Sequence, residues 1–461
     1  MQRKTNSSLT NFLFILLPEP DTFSNLSSEK YSSWEMEVHV VSREVIKPSS
    51  TTPNHLRTYK LSRLDQMNID IFIPIVFFYQ EAPKNSDDLL KKSLSDTLTH
   101  YYPLAGRVKD CLYVDCDDYG ISYVVARVDG DMSNVLKQPE FDQEEQLMPC
   151  KQHEMLKDQS ILAVQVSHFG CGGVAICLLF RHVIVDGATA ANFVKTWAVI
   201  ASCGGNDDSA TIIKDLVFDC TSIFPPRDHS GSSTRSSGAG AILFSSSETT
   251  RKRFIFEGSK ISALQDKIGN RTTRFEAVFT LMWDAITAAK REGDDFVATI
   301  PVNLRKRMNP PIPEQCIGNI LTIIQTNWPT EETINYSSLT EKVHELVSMV
   351  NDDYVKKAYP NGWILNRATN GAAGRDTRRR RLFMISSWCN LPLYKSDFGW
   401  GNPELVAPVG RVNSGDNISV CVWDTTDGAG IEAWMFMSKE EMAKFEQDPG
   451  VVAYASFNPT T

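Results

Sequence analysis

Two short stretches of the chain carry residue types and spacings that could do chemistry. In the first, LLFRHVIVDGATAANF (residues 178–193), an apolar run ends at His182, and Asp186 and Gly187 follow. Neutral imidazole accepts protons near pH 7, and a positioned general base accelerates a reaction by about 10²–10⁴-fold. Glycine lets the backbone turn sharply after the pair. The stretch therefore predicts a half-buried base at a strand-to-loop corner.

Asp186 has two possible roles in this arrangement. It could orient the imidazole as in a catalytic triad, or it could turn away and hold the loop by pairing with an arginine. In a chain with 8 histidines, one such spacing can arise by chance. A satisfied core histidine beside a helix-capping aspartate explains the isolated pattern equally well.

The second stretch is SDFGWGNP, residues 396–403. Gly399 and Gly401 permit backbone conformations that other residues disfavour. Asp397 and Trp400 stand within the same five residues, which predicts an acid held in an apolar loop. A loop that only packs against the core is the plainer alternative.

The elements around these stretches must position them. ILAVQVSHF and VAICLLFRHV predict a hairpin that ends at His182, and ATAANFVKTWAVIAS predicts a helix that begins just after Gly187. Leucines at spacings of four predict a helix over residues 87–101. CLYVDC and ISYVVARV, joined by DDYG, predict a second hairpin.

The C-terminal half shows the same mixture of signals. Thr273 and Glu276 form a predicted capping box for the helix FEAVFTLMWDAITAAKR. ISVCVWD and IEAWMFM predict a late hairpin, and Ser438 with Glu441 caps the last predicted helix. Hairpins mixed with helices favour an α/β fold of two mixed halves over alternating βαβ units.

Size and composition limit the classes of function. A chain of 461 residues suggests about two to three domains. The net charge of −9 argues against a nucleic-acid partner. Ten cysteines without a C-x-x-C pair predict a reducing compartment, no structural disulfide and no metal. No apolar run reaches the length of a membrane span, so we expect a cytoplasmic protein without a membrane partner.

The composition also predicts the division of the chain. Residues 1–35 form a predicted disordered extension, and Met36 is the expected natural start. Residues 36–215 form the N-terminal domain with His182, the polar low-complexity residues 216–250 a crossover linker, and residues 251–461 the C-terminal domain with Asp397.

His-x-x-x-Asp-Gly followed far downstream by Asp-Phe-Gly-Trp-Gly resembles the signature of the plant BAHD acyltransferases. The resemblance spans the chain from Met36 to its end and is closest to the vinorine synthase-like alkaloid O-acetyltransferase branch. Further stretches look like family landmarks: IKPSSTTP (46–53), LSRLDQ (61–66), YYPLAGRV (101–108), VNLRKRMNPP (302–311), SSWCNLPLY (386–394) and GIEAWM (430–435).

The resemblance implies two chloramphenicol-acetyltransferase-like domains with mixed sheets, joined by a crossover loop, and an active-site channel between them. It implies that His182 takes the proton of the acceptor hydroxyl and returns it to the CoA thiolate within a ternary complex. Trp388 is then the candidate oxyanion donor, with a buried aromatic as the alternative, and Asp186 pairs with Arg305. The resemblance gives four residues a role in shaping the channel wall: Asp397, Gly399, Trp400 and Gly401.

The expected activity is acyl-CoA-dependent O-acylation of a plant specialised-metabolite alcohol by a monomer without a bound cofactor. CIGNI (316–320) stands where the malonyltransferase branch has Tyr-Phe-Gly-Asn-Cys, which leaves acetyl-CoA as the expected donor. The resemblance favours an alkaloid acceptor. A triterpenoid alcohol, N-acylation of an amine and a non-catalytic scaffold remain alternatives.

The remaining predictions concern CoA and the basic clusters. Ser386 and Ser387 are expected near CoA through the resemblance. Arg251, Lys252 and Arg253 are candidate contacts for the CoA phosphates, with a solvated charge run as the alternative. For the arginines at 378–381, a surface loop is favoured over a substrate lid.

Overall fold

Two large sheets and one small sheet organise the chain. The computed structural model describes residues 36–68, 70–137, 141–203, 220–226, 249–269, 272–291, 293–327, 334–359, 379–410 and 416–458. The predicted extension 1–35 and most of the predicted crossover 216–250 lie outside these residues. Within the described ranges, no helix combines the length and the apolar character needed to cross a bilayer.

The elements are numbered in chain order. The strands are β1 (Glu37–Ile46), β2 (Thr58–Lys60), β3 (Phe72–Tyr79), β4 (Arg107–Lys109), β5 (Tyr113–Asp115), β6 (Ile121–Asp129), β7 (Leu162–Phe169), β8 (Val174–Arg181), β9 (Thr249–Phe256), β10 (Asp294–Asn303), β11 (Leu321–Thr326), β12 (Arg379–Ser387), β13 (Leu405–Pro408), β14 (Ile418–Asp424), β15 (Ile431–Ser438) and β16 (Ser456–Phe457). The helices are α1 (Arg63–Met67), α2 (Ser86–His100), α3 (Met132–Lys137), α4 (Phe141–Glu144), α5 (Gln152–Asp158), α6 (Gly187–Cys203), α7 (Gly258–Ile268), α8 (Arg274–Ala289), α9 (Tyr336–Met349), α10 (Asp352–Ala358), α11 (Lys439–Glu446) and α12 (Pro449–Tyr454).

The first large sheet has the order β1-β6-β7-β8-β3-β13. The predicted hairpin of β7 and β8 is confirmed, because the two strands pair antiparallel. Every residue of β8 is buried, as expected for a strand covered on both faces. The edge strand β13 comes from the C-terminal half and pairs antiparallel with β3. Both halves of the chain therefore build this sheet.

The predicted hairpin of CLYVDC and ISYVVARV is wrong. β5 pairs with β2 and β4 in the three-stranded sheet, whereas β6 pairs with β1 and β7 in the first large sheet. Asp118, at a φ of 62°, accepts hydrogen bonds from the amide and the hydroxyl of Thr52. A Cβ on Gly120 would lie 2.6 Å from the carbonyl oxygen of Ile46. These long-range contacts direct the chain toward β1.

The second large sheet has the order β11-β10-β12-β14-β15-β9-β16. The predicted hairpin of β14 and β15 is confirmed. The predicted capping box is confirmed as well, since Thr273 Oγ1 accepts from the amide of Glu276 and the carboxylate of Glu276 accepts from the amide of Thr273. Ser438 caps α11 as expected, but α12 follows it. Together the elements confirm a mixed α/β fold.

The expected surface loop at 378–381 is wrong for its last three residues. Residues 379–381 begin β12, which lies between β10 and β14. Arg381 is buried, and its guanidinium donates to Asp294 at 2.7 Å and to both carboxylate oxygens of Glu441. Two buried carboxylates stabilise a charge that would otherwise stay in water. Residue 378 lies outside the described residues.

Candidate active site

His182 lies where β8 ends, at the strand-to-loop corner that the sequence predicts. Its amide donates to the carbonyl of Ile71 at 2.8 Å, which continues the pairing of β8 with β3 by one residue. Helix α6 begins at Gly187, five residues later. The residue is half-buried.

Two amides contact the same ring nitrogen of His182. Nδ1 lies 2.8 Å from Asn319 Oδ1 and 2.7 Å from Asn68 Nδ2, and these contacts require opposite tautomers. Asn319 Nδ2 faces three acceptors, the carbonyls of His182 and Val183 and the carboxylate of Asp65. Those acceptors determine the orientation of the Asn319 amide and direct its oxygen to the ring. Asn68 Nδ2 has one further acceptor, the carbonyl of His182 at 2.8 Å, against three for Asn319 Nδ2. We therefore give the Asn319 contact more weight and assign the proton to Nδ1, which leaves the lone pair on Nε2.

The surroundings also favour the neutral ring. Burial lowers the pKa of His182 below the ordinary value of 6.5, against the opposing effect of the Asp186 charge. A neutral imidazole with Nδ1–H held by an amide oxygen can accept a proton only at Nε2. The arrangement suits a general base near neutral pH.

Asp186 is paired with Arg305, the second of its two predicted roles. Its carboxylate accepts from Arg305 Nη1 at 2.7 Å and Nη2 at 3.1 Å, and from the amides of Thr189 and Ile320 at 2.8 and 3.1 Å. Burial alone raises the pKa of Asp186, but the charge and hydrogen bonds of Arg305 outweigh burial and hold that pKa below 3.8. The pair ties the loop after His182 to the segment after β10.

The sequence analysis missed Asn68, Asn319 and Asp65. Asp65 is fully buried, and its Oδ1 accepts from the amide and the Nδ2 of Asn319 at 2.8 and 3.1 Å. Its Oδ2 accepts from the hydroxyl of Ser62 at 2.6 Å. Ser62 and Asp65 form a capping box, a signal present in LSRLDQ. No local pattern marks Asn68 or Asn319, because their partner is distant in sequence.

Trp388 packs on the loop that follows His182. A Cβ on Gly187 would lie 2.7 Å from Cε2 of the indole, so only glycine allows this approach. The Trp388 Nε1–H donates to Ser386 Oγ at 3.2 Å. The structure thus brings together the predicted residues Trp388 and Ser386 beside the loop, while Ser387 is exposed.

The stretch SDFGWGNP forms a loop whose backbone amides donate hydrogen bonds to the carboxylate of Asp397. Asp397 Oδ1 accepts from the amides of Gly399 and Gly401 at 2.7 and 2.8 Å, and both glycines have φ of 105°. Phe398 is fully buried and packs edge-on against Trp197 of α6 and Tyr79 of β3. Trp400 stacks on Phe398. These contacts give the loop a packing role between the two halves of the chain.

Arg251 and Arg253 do not offer their charges to a phosphate. Both side chains are buried, and they pair with Glu144 and Glu432 respectively. Lys252 pairs with Glu446. The two arginines therefore act as buried structural ion pairs, whereas Lys252 is partly exposed and its expected CoA contact stays a prediction.

A cavity of 380 Å³ opens beside the Ser386–Trp388 segment. One wall consists of Ser387, Cys389 and Asn390, and the opposite wall contains the start of α8 at Thr273 and Arg274. Arg274 is held in place by Asp424 at 2.8 Å and by carbonyls of residues 428–430. The lining offers hydroxyl, amide and guanidinium groups to a polar chain.

Comparisons with known proteins identify the family. A sequence model of the Transferase family matches residues 36–451. Limonoid 1-O-acetyltransferase of Citrus sinensis is 45% identical and covers 92% of this chain and 99% of its own. Salutaridinol 7-O-acetyltransferase of Papaver somniferum is 33% identical and covers 89% and 96%. The crystal structure of vinorine synthase has a TM-score of 0.73 at 31% identity and covers 88% of this chain and 96% of that one.

The family match and these identities confirm the resemblance on which the sequence analysis relied. They also confirm the two-domain acyltransferase fold and the enzyme class. The chain belongs to the Transferase family, the BAHD acyltransferases, and is an acyltransferase whose family uses acyl-CoA as co-substrate.

Proposed function

We propose that the protein transfers an acetyl group from acetyl-CoA to a hydroxyl of a limonoid-type triterpenoid, with His182 as general base. The observation that carries this proposal is the 2.8 Å contact between His182 Nδ1 and Asn319 Oδ1; with the proton assigned to Nδ1, it leaves Nε2 for the acceptor hydroxyl. The acceptor class is supported by the limonoid acetyltransferase at 45% identity, against 33% for the relative that acts on an alkaloid. The alkaloid preference therefore gives way to the triterpenoid alternative.

In the proposed reaction, His182 Nε2 removes the hydroxyl proton as the acceptor oxygen attacks the thioester carbonyl. The C–O bond forms, and the carbonyl electron pair moves to oxygen. When the tetrahedral intermediate collapses, the C–S bond breaks, and the imidazolium returns the proton to the CoA sulfur. His182 ends neutral, so no acyl-enzyme and no further reactant are needed.

We place the pantetheine arm of CoA in the cavity beside Ser387 and Cys389. This arm is uncharged and carries two amides, which match the hydroxyl and amide groups of the lining. The placement keeps Ser387 as a CoA-side residue, whereas Ser386 does not line this cavity.

We assign oxyanion stabilisation to the Ser386–Trp388 pair. Because the indole N–H is donated to Ser386 Oγ, the hydroxyl proton of Ser386 is available to a developing oxyanion. Hydrogen bonds of this kind are worth about 10²–10³ in rate for a single donor. Ser386→Ala should then lower kcat more than Trp388→Phe, since the hydroxyl is the direct donor. The reverse order would assign that role to the indole.

We place the apolar acceptor on the half-buried face of the second sheet. Along β12, Phe383 and Ile385 belong to the core, while the alternating Leu382, Met384 and Ser386 are half-buried on the opposite face. Pairing partners extend this half-buried face to neighbouring strands: Val297, Leu321, Ile323 and Cys421. A wall of aliphatic side chains that reaches Ser386 would suit a polycyclic terpenoid.

Turnover tests the proposed function. Purified protein is incubated with acetyl-CoA and a panel of limonoid, alkaloid and amine acceptors, and release of free CoA is measured together with product mass. We expect acetylation of a limonoid hydroxyl and loss of activity in His182→Ala. An unchanged rate in that variant would remove the base assignment, and preferred acetylation of an alkaloid or an amine would replace the acceptor class. Absence of CoA binding would favour the scaffold alternative.

Met384→Gln tests the position of the acceptor. The amide has similar length but is polar, so we expect a higher KM for the limonoid and an unchanged KM for acetyl-CoA. The exposed Val452, changed likewise to glutamine, serves as the control. Equal KM values for Met384→Gln and wild type would place the acceptor elsewhere.

Several expectations from the sequence remain predictions. They are the domain boundaries, the start at Met36, the monomeric state and the cytoplasmic location. Size-exclusion chromatography with light scattering tests the monomer, and mass spectrometry of the native N-terminus tests the start.

A further inference from the structure

Arg181, the last residue of β8, is buried directly before His182. Its Nε donates to Asp70 Oδ1 and its Nη2 donates to Asp70 Oδ2, each at 2.7 Å. Nη1 donates to Gln159 Oε1 at 3.0 Å. A bidentate pair of a guanidinium and a carboxylate restricts both distance and direction, which a single point contact cannot do. The Arg181 side chain is only 2% exposed and that of Asp70 is 23% exposed, so the guanidinium is shielded from water.

The same two chain segments are tied a second time through their backbones. The amide of His182 donates to the carbonyl of Ile71 at 2.8 Å. Two neighbouring contacts therefore hold the segment Arg181–His182 to the segment Asp70–Ile71: the ion pair between the side chains of Arg181 and Asp70, and the backbone hydrogen bond from His182 to Ile71. With two such contacts, the backbone at His182 cannot rotate about either contact without breaking the other. The direction in which the imidazole leaves the backbone depends on this geometry.

We propose that Asp70 and Arg181 form a positioning pair for His182, which holds the base in the orientation required to take the acceptor proton. The proposal rests on the proposed function, in which His182 is the base. Neither residue contacts a reacting atom. Their effect passes through the backbone at His182 and supplements the hold of Asn319 on the ring itself.

The choice of a charged pair supports a positioning role. A buried ion pair is often no more stabilising than an apolar pair of the same volume, but it imposes direction. A reacting group must stay within about 0.5 Å and 10–20° of its productive geometry, and a misplacement of about 1 Å can cost about 10²-fold in rate. We therefore expect the pair to affect kcat, with little change in KM.

The test compares Asp70→Asn with a matched control, Asp294→Asn. Asp294 is also a carboxylate that holds a buried arginine at 2.7 Å, in its case Arg381. It starts β10, and the 10 residues of that strand separate it from Arg305 by roughly 30 Å. Both variants remove a carboxylate from a buried arginine. Arg381 keeps Glu441 in the control, so we expect the larger loss of stability in Asp70→Asn and compare kcat per folded molecule. Only Asp70→Asn disturbs the support of His182.

We measure kcat and both KM values with acetyl-CoA and the best limonoid acceptor of the panel, normalised to the folded fraction from circular dichroism. Asp70→Asn should lower kcat about 10- to 100-fold with KM values within about twofold of wild type. The Asp294→Asn control should keep kcat within about twofold. Equal kcat values in the two variants, or a change in KM alone, would overturn the positioning role.

Arg181→Lys and His182→Ala complete the experiment. Lysine keeps the charge but cannot form the bidentate contact. If Asp70→Asn does not fold, Arg181→Lys tests the positioning role by the same criterion, a lower kcat with unchanged KM values. If His182→Ala is inactive and Asp70→Asn keeps the kcat of wild type, the positioning role is refuted while the base assignment stands. An active His182→Ala would refute the base assignment and the pair with it.

Discussion

Replacing Asp186 with asparagine separates a structural role of this residue from a catalytic one. The carboxylate accepts two bonds from Arg305 and one each from the amides of Thr189 and Ile320. Asparagine has the same shape but a single acceptor oxygen and no charge. The Arg305 side chain, 1% exposed, would then keep a positive charge without its counter-ion.

Removing one partner of a buried ion pair costs about 3–5 kcal/mol. Asparagine retains the volume and part of the hydrogen bonding, so we expect the lower end, about 3 kcal/mol. With a urea dependence of about 3 kcal/mol per molar, the unfolding midpoint should fall by about 1 M. Urea unfolding followed by tryptophan fluorescence measures this shift.

The pH dependence of the difference follows from the lowered pKa of Asp186. Because the folded-state pKa lies below the ordinary value of 3.8, the stabilisation is fully present above that value and is lost as pH falls through the folded pKa. The gap in unfolding free energy between wild type and Asp186→Asn should stay constant from neutral pH down to about pH 5. It should narrow only at more acidic pH.

Activity decides between the two roles. As a loop support, Asp186 affects the chemistry indirectly, and kcat per folded molecule should fall by less than about tenfold. An aspartate that orients a catalytic histidine costs about 10⁴ in kcat when it becomes asparagine. A variant with the stability of wild type and a 10⁴-fold loss of kcat would refute the structural assignment and restore the triad interpretation.

Three further predictions concern the same site. Because burial lowers the pKa of His182 in the free enzyme, the rising limb of wild-type kcat/KM against pH should have a midpoint below 6.5, and a midpoint above that value would contradict the neutral buried ring. Asn319→Ala removes the acceptor of the Nδ1 proton and should lower kcat about 10- to 100-fold. Steady-state kinetics measure the loss, and a kcat equal to that of wild type would contradict the role of Asn319. Gly187→Ala adds a Cβ 2.7 Å from the indole of Trp388. It should lower the free energy of unfolding by about 1–3 kcal/mol, although alanine by itself favours a helix more than glycine does. An unchanged melting temperature would contradict the close approach.

Local patterns in the sequence predicted most of the elements at the site. The buried run before His182, the helix after Gly187 and the capping box at Thr273 all appear as expected. Each depends on neighbours within a few residues, through apolar periodicity or a hydrogen bond back to the same helix. Such interactions can be predicted from the sequence, because the residues that form them are close along the chain.

Long-range pairing was predicted less well. ISYVVARV is a strand, but its partners are β1 and β7 and not the adjacent β5. Arg251 and Arg381 looked like exposed cations, and each is buried against carboxylates more than 50 positions away. A run of basic residues has the same appearance in the sequence whether its charges face water or pair with a distant carboxylate, so the sequence does not distinguish the two cases.

The sequence by itself determined the chemistry available to this protein: a histidine at the end of a buried strand, an aspartate and glycine after it, and a self-capped glycine loop near the C-terminus. Only the tertiary structure decided how that chemistry is arranged. It paired Asp186 with Arg305 and gave the imidazole Nδ1 to Asn319, 137 positions away. Hydrogen bonds and ion pairs depend on distance in space, and folding sets that distance between residues far apart in the chain.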